Sequence, residues 1–140
     1  MTVGDYVAII ALIINITGVL TTVGIYSHTV KQNRKLITIT DFSKIREKYP
    51  NVSPKAICPV SDEERLKYLR EMERFCTGVN SKIYDFDTIN QTSGHLLIKQ
   101  YDDYMRDIIN QRRKSADETW KYFQYEEVIK KLILKKQGEK

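Results

Sequence analysis

Residues 6–30 contain no Asp, Glu, Lys or Arg, and this stretch constrains the chain more than any other. Between Asp5 and Lys31 the sequence is mostly Ile, Val, Leu and Ala. A bilayer core is ~30 Å thick and is crossed by about 20 apolar residues at ~1.5 Å rise each. Residues 6–27 meet that requirement. Eleven of them are Ile, Val or Leu, from Val7 to Ile25. At about −0.3 to −0.6 kcal/mol each these favour insertion by several kcal/mol, which Asn15, Thr17, Thr21 and Thr22 do not reverse. The β-branched content does not argue for a strand, because a lone strand leaves its backbone unsatisfied in lipid and a helix does not. A cleaved signal peptide would want Lys or Arg before the run, a shorter apolar core and a small-x-small cleavage site. Here Asp5 precedes a long run. A buried core helix is not expected at this length without charge.

Flanking charge sets an expected orientation. The segment before the run has no Lys or Arg, whereas Lys31, Arg34, Lys35, Lys44, Arg46 and Lys48 follow it. The positive-inside rule then predicts an N-terminus outside and a C-terminal region in the cytoplasm, at the inner (cytoplasmic) membrane of the cell. Lys31, Arg34 and Lys35 fall where anionic headgroups lie, each worth ~1 kcal/mol there, although setting topology alone also accounts for them.

One face of the expected membrane helix differs from the rest. Gly4, Ala8, Ala11, Asn15, Gly18 and Thr22 recur at steps of three and four and fall within a narrow arc. Small residues let helices approach, and an Asn in hydrocarbon seeks a partner. The expectation is a self-association seam of Ala8, Ala11, Asn15, Gly18 and Thr22, with Asn15 bonding across it for ~0.6–2 kcal/mol. The plainer reading is that small residues are common in any anchor and that Asn15 bonds its own helix. A helix from a different protein fits the same seam. A pore is disfavoured, because the chain has no membrane-facing ring of charge.

The remaining residues of the 140 suffice for one small domain, and the net charge is +5. Residues 31–48 read as a basic juxtamembrane helix, with Leu36, Ile39, Phe42 and Ile45 on one apolar side; the alternation over 36–40 allows a short strand instead. Pro50, Pro54 and Pro59, the three prolines of the chain, mark residues 49–60 as a linker. Ser61 with Glu64 is a capping-box pattern opening a helix that is expected to reach about Tyr84. Its apolar stripe is Leu66, Leu69, Met72, Cys76, Val79 and Ile83, and Gly78 within it suggests a close helix contact. Residues 85–87 form a turn with Asp87 as N-cap. The next helix spans roughly 88–114 and is expected to bury Ile89, Leu96, Leu97, Tyr101, Tyr104, Met105, Ile108 and Ile109. Ser115 with Glu118 repeats the capping pattern. A last helix is expected over 116–136, its core marked by Trp120, Phe123, Val128 and Leu132. The fold class is therefore all-α: one N-terminal transmembrane helix (1–30) continuing into a juxtamembrane helix, then a small three-helix cytoplasmic bundle within residues 61–140. A core of this size is marginal alone, so docking on the juxtamembrane helix or oligomerisation would support it.

Residues 68–132 resemble a domain of unknown function in small bacterial membrane-anchored proteins. The residues that carry the likeness are the helix around Glu73 and Gly78, the turn over 83–87, Arg112, and the stretch over 120–128. The resemblance implies a helical cytoplasmic domain behind one N-terminal membrane helix, and a bacterial or phage origin. It brings no activity and no catalytic residue.

No enzyme signature is present: there is no Gly-rich phosphate loop, nucleophile elbow or HExxH. Cys58, Cys76, His28 and His95 match no structural zinc spacing, and no metal or cofactor is expected. Both cysteines are expected to be free thiols in a reducing compartment. Asp85 and Asp87 are more simply turn and cap residues than paired carboxylates. Glu73 and Arg112 are expected to form an intradomain ion pair between neighbouring helices, or else to be two solvated side chains. The basic clusters sit at helix ends, where anionic lipid is a nearer partner than nucleic acid. The expected partners are membrane lipid and a second copy of the chain or another membrane protein. The expected function is a membrane-anchored interaction or scaffold protein; the alternative is an oligomer that perturbs the bilayer, in phage defence.

Overall fold

The computed structural model describes residues 2–52, 60–115 and 121–138. Among them there are helices and turns and no strand. Helix α1 (Val3–Lys48) is 46 residues long and absorbs residues 36–40, whose alternation allowed a strand. A 3₁₀ turn (Pro50–Val52) follows it. Then come α2 (Asp62–Asn80), α3 (Phe86–Gln100), a π-helical segment (Tyr101–Met105), α4 (Arg106–Ser115) and α5 (Phe123–Gly138). The segments from α3 to α4 follow without a break, so the second half of the chain is a bundle of three helices. The chain divides into two compact units, Met1–Arg34 and Lys35–Lys140.

The first unit is the apolar part of α1, and its most apolar 18-residue window has a mean hydropathy of 2.2 with none of it buried. This helix is long and apolar enough to cross a membrane.

The second unit has a conventional core. Leu69, Met72, Cys76, Met105, Ile109, Tyr125, Ile129 and Leu132 are all buried at 2% exposure or less. α2 and α5 run parallel: Glu73 meets the start of α5, and Asn80 meets Gln124 and Lys131. α3 and α4 run antiparallel to α5, with Asp87 against Lys135 and Arg113 against Glu126. The last turns of α1 belong to this unit and lie antiparallel to α2. Phe42 packs on Phe75 at 5.4 Å between ring centroids, Tyr49 meets Tyr68 edge-on at 5.7 Å, and Lys48 pairs with Glu71 at 2.9 Å. The buried face of α1 here is Thr38 and Phe42, with Ile45 half-buried, whereas Leu36 and Ile39 are exposed. Thr38 is inside because its hydroxyl accepts the Asp85 N–H at 2.8 Å.

Helix ends account for most departures from expectation. Ser61 caps α2 as its pattern predicts, accepting the Glu64 N–H at 3.2 Å. α2 stops at Asn80, four residues early. Lys82 adopts φ 60°, the Lys82 N–H donates to Val79 O at 3.1 Å, and the Ile83 N–H donates to Gly78 O at 2.9 Å. That pair of bonds is a Schellman termination. Gly78 does face a close contact, but with the ring of Tyr84 and not another helix: an added Cβ would come within 2.5 Å of that ring. The N-cap of α3 is Asp85 and not Asp87, because Asp85 Oδ1 accepts the Thr88 N–H at 2.7 Å. α5 begins at Phe123, after Tyr122 at φ 64°, and Phe123 is 56% exposed. Ala116, Glu118 and Trp120 lie outside the described residues.

The π-helical segment sets which side chains of the long helix point inward. Before it the buried positions are Ile89, Ser93, Leu97 and Gln100; after it they are Met105, Ile108 and Ile109. The step of five from Gln100 to Met105 is the extra residue of a π turn. It leaves Tyr104 half-buried and puts Met105 in the core.

Candidate functional site

In the first unit the polar side chains turn back on their own helix. Thr17 Oγ1 donates to Ile13 O at 2.8 Å, Thr21 Oγ1 to Thr17 O at 2.8 Å and Thr22 Oγ1 to Gly18 O at 2.9 Å. Such back-bonding hides a hydroxyl from an apolar surround. Asn15 makes no such bond among the described residues, so its amide differs from every threonine around it. Ala8, Ala11, Asn15, Gly18 and Thr22 are all exposed. Gly18 leaves open space where a side chain would stand, in a shallow groove bordered by Asn15, Val19 and Thr22. Lys31 and Arg34 are exposed in this unit, and Lys35, half-buried, begins the next.

In the second unit Glu73 reaches the start of α5. Its carboxylate accepts the Gln124 N–H on Oε1 at 3.1 Å and the Tyr125 N–H on Oε2 at 2.8 Å. The first amides of a helix have no partner of their own, and the helix dipole favours an anion there. A residue 51 positions away thus supplies a cap to the start of α5. The arginine that α5 receives is Arg113, which donates to Glu126 and to Lys121 O, while Arg112 is on the exposed side of α4. Glu126 Oε1 also accepts the Tyr101 hydroxyl at 2.8 Å. Burial, followed by that bond, pushes the Tyr101 hydroxyl above its usual range.

A cavity of about 420 Å³ opens between the end of α1, the 3₁₀ turn, α2 and α3. Phe42, Tyr68, Leu97 and Gln100 line it, with Arg46 and Glu47 at its edge. Gln100 is buried there as a tie: it accepts the Tyr68 hydroxyl at 2.7 Å and donates to Val52 O. Gln100 is not among the residues expected from the sequence, although its place three residues after Leu97 on the inward stripe is a signal. The lining mixes apolar side chains with Ser43, Ser93, Arg46 and Glu47.

Burial pushes the Cys76 thiol well above its usual range, so it remains a protonated core group. Cys58 lies outside the described residues. Asp87 pairs with Lys135, and His95 is exposed. Among the described residues no group of three or more His, Cys, Asp and Glu side chains is arranged to hold a metal.

A family model described as a domain of unknown function, DUF4760, matches residues 7–131. The match starts inside the apolar helix, well before residue 68. No curated protein and no solved structure matches.

Proposed function

This chain belongs to the DUF4760 family, to which no function is attached, and from that premise we propose that it is a single-pass membrane protein of the interaction or scaffold kind. Its N-terminal helix is the anchor, its helical domain is a cytoplasmic binding module, and the anchor associates with a second copy of itself. The observation that carries the reading is the contrast within the apolar helix. Every threonine of residues 17–22 is satisfied by its own backbone, whereas the Asn15 amide, beside the open space at Gly18, is not. An amide in hydrocarbon lowers its energy by bonding to a neighbouring helix. The positive flank Lys31, Arg34 and Lys35 supports a cytoplasmic domain.

The test is the mass of the full-length protein in lipid nanodiscs, with every co-purifying chain identified. The reading expects a homo-oligomer that dissociates in Asn15→Leu. A monomer in both proteins overturns the association. A stoichiometric second protein makes the chain an accessory subunit, with the seam serving that partner.

A further inference from the structure

We propose that one end of the helical domain, formed by residues 35–38, 81–85 and 131–136, rests on an anionic lipid surface. Ile83 enters the interface, and Lys35, Lys82 and Lys136 meet the headgroups. This rests on the reading of α1 as a membrane anchor and adds a second lipid contact, made by the helical domain.

The three segments are brought together by bonds within the second unit. Thr38 Oγ1 accepts the Asp85 N–H, Asp41 accepts the Tyr84 hydroxyl at 2.9 Å, and Lys135 pairs with Asp87. Lys131 donates to Asn80 Oδ1 at 2.8 Å, which fixes the end of α5 beside the end of α2. In a Schellman termination the residue two past the cap ordinarily folds its apolar side chain back onto the helix. Here that residue is Ile83, and the place it would take, over Gly78, is filled by the Tyr84 ring. Ile83 is therefore held outward at 61% exposure on a turn that is hydrogen-bonded and cannot easily retract it. At the same end Leu36 and Ile37 are 65% and 48% exposed.

The lysines at this end are Lys35, Lys82, Lys131, Lys135 and Lys136; Lys131 and Lys135 are paired with Glu127 and Asp87, whereas Lys35, Lys82 and Lys136 make no ion pair among the described residues. Asp85 caps α3. Apolar side chains ringed by lysine match an interface whose headgroups are negative and whose next layer is hydrocarbon. Chain length brings that interface within reach. Lys35 lies five residues beyond Val30, about 8 Å of helical rise, against an interfacial layer of roughly 5–8 Å.

The experiment uses the full chain in nanodiscs of neutral phosphatidylcholine alone or with phosphatidylglycerol added. A spin label is attached through Ile83→Cys in a Cys58→Ser background, leaving buried Cys76 in place, and a second protein carries the label through Gln111→Cys at the opposite end. Collision with oxygen against collision with a water-soluble nickel chelate reports lipid contact. The proposal expects the label at 83 to prefer oxygen in the anionic discs. Lys82→Glu or Lys136→Glu should lower its lipid-contacting fraction about fivefold each. The label at 111 should stay accessible to nickel throughout. A label at 83 that is equally wet in both lipids, or lipid contact at 111 matching that at 83, overturns the proposal and leaves the anchor intact. A chain that does not enter nanodiscs at all overturns the anchor reading and this one with it.

Discussion

The two units share one helix and use it in opposite ways. From Val3 to Tyr26, α1 turns its large apolar side chains outward and bonds Thr17, Thr21 and Thr22 to its own carbonyls. After Lys35 the same helix buries Thr38 and Phe42 and spends its polar groups on other elements: Thr38 on Asp85, Asp41 on Tyr84, Lys48 on Glu71. The backbone geometry is the same, so what changes is where the side chains find their partners. Hydroxyls bonded to their own helix suit a surround without hydrogen bonds, with the Asn15 amide the exception, whereas a helix that reaches outward for its bonds belongs to a folded domain.

The contrast is broken most forcefully by placing one substitution in both units. Leu69→Ala removes a fully buried side chain and is expected to cost the domain about 2–5 kcal/mol. Leu12→Ala, at a position 59% exposed, should leave the unfolding of the domain unchanged. Thermal and urea unfolding of the full chain in detergent, followed by circular dichroism, reads both. Equal losses would mean that the anchor is part of the domain's core. Glu73→Gln comes next. It replaces a charge shared by two amides with a single neutral acceptor, and a loss of roughly 1–3 kcal/mol is expected. A stability within error of wild type would show that α5 needs no cap from α2. Lys82→Gly should act in the other direction and stabilise by about 1 kcal/mol, because only Gly takes φ 60° without cost. The same variant should reduce lipid contact at position 83, which separates fold from docking. The smallest effect is that of pH. Hydrogen bonds from Lys44 and Lys48 hold the Asp41 and Glu71 carboxyls below their ordinary 3.8 and 4.5. The folded protein thus binds fewer protons than the unfolded chain in that range. The stability from these groups is complete above the ordinary values and is lost as pH falls through the lower folded ones. Both pairs are partly solvated, so a decline of under ~1 kcal/mol is expected between pH 6 and 3, seen as a lower urea midpoint. A midpoint that rises on acidification would contradict it.

What could be read in advance depended on how local the cause was. The apolar helix, the Ser61 cap and most of the core were legible, because periodicity and capping act over three or four residues. The end of α2 was not, since Lys82 stands where a glycine would have announced the turn. The start of α5 was hidden for a related reason: its cap arrives from Glu73, on another helix. For the same reason the role of Glu73 at the first amides of α5 could not be read beside the expected pairing with Arg112. The charged residue that α5 recruits from α4 is the neighbouring Arg113. Gln100 shows the complementary blind spot, a polar residue that reads as surface until Tyr68 and Val52 O close around it.

The π-helical segment over Tyr101–Met105 also bears on how this domain tolerates change in length. A residue removed from an ordinary helix swings everything after it by about 100° and takes the inward stripe out of the core. A residue removed from Asp102 or Asp103 instead relaxes the wide turn to a normal one, with Leu97 and Met105 still on the same side. The long helix therefore has one place where the chain can shorten and keep its phase, and the helices that pack on either side of that place need not notice.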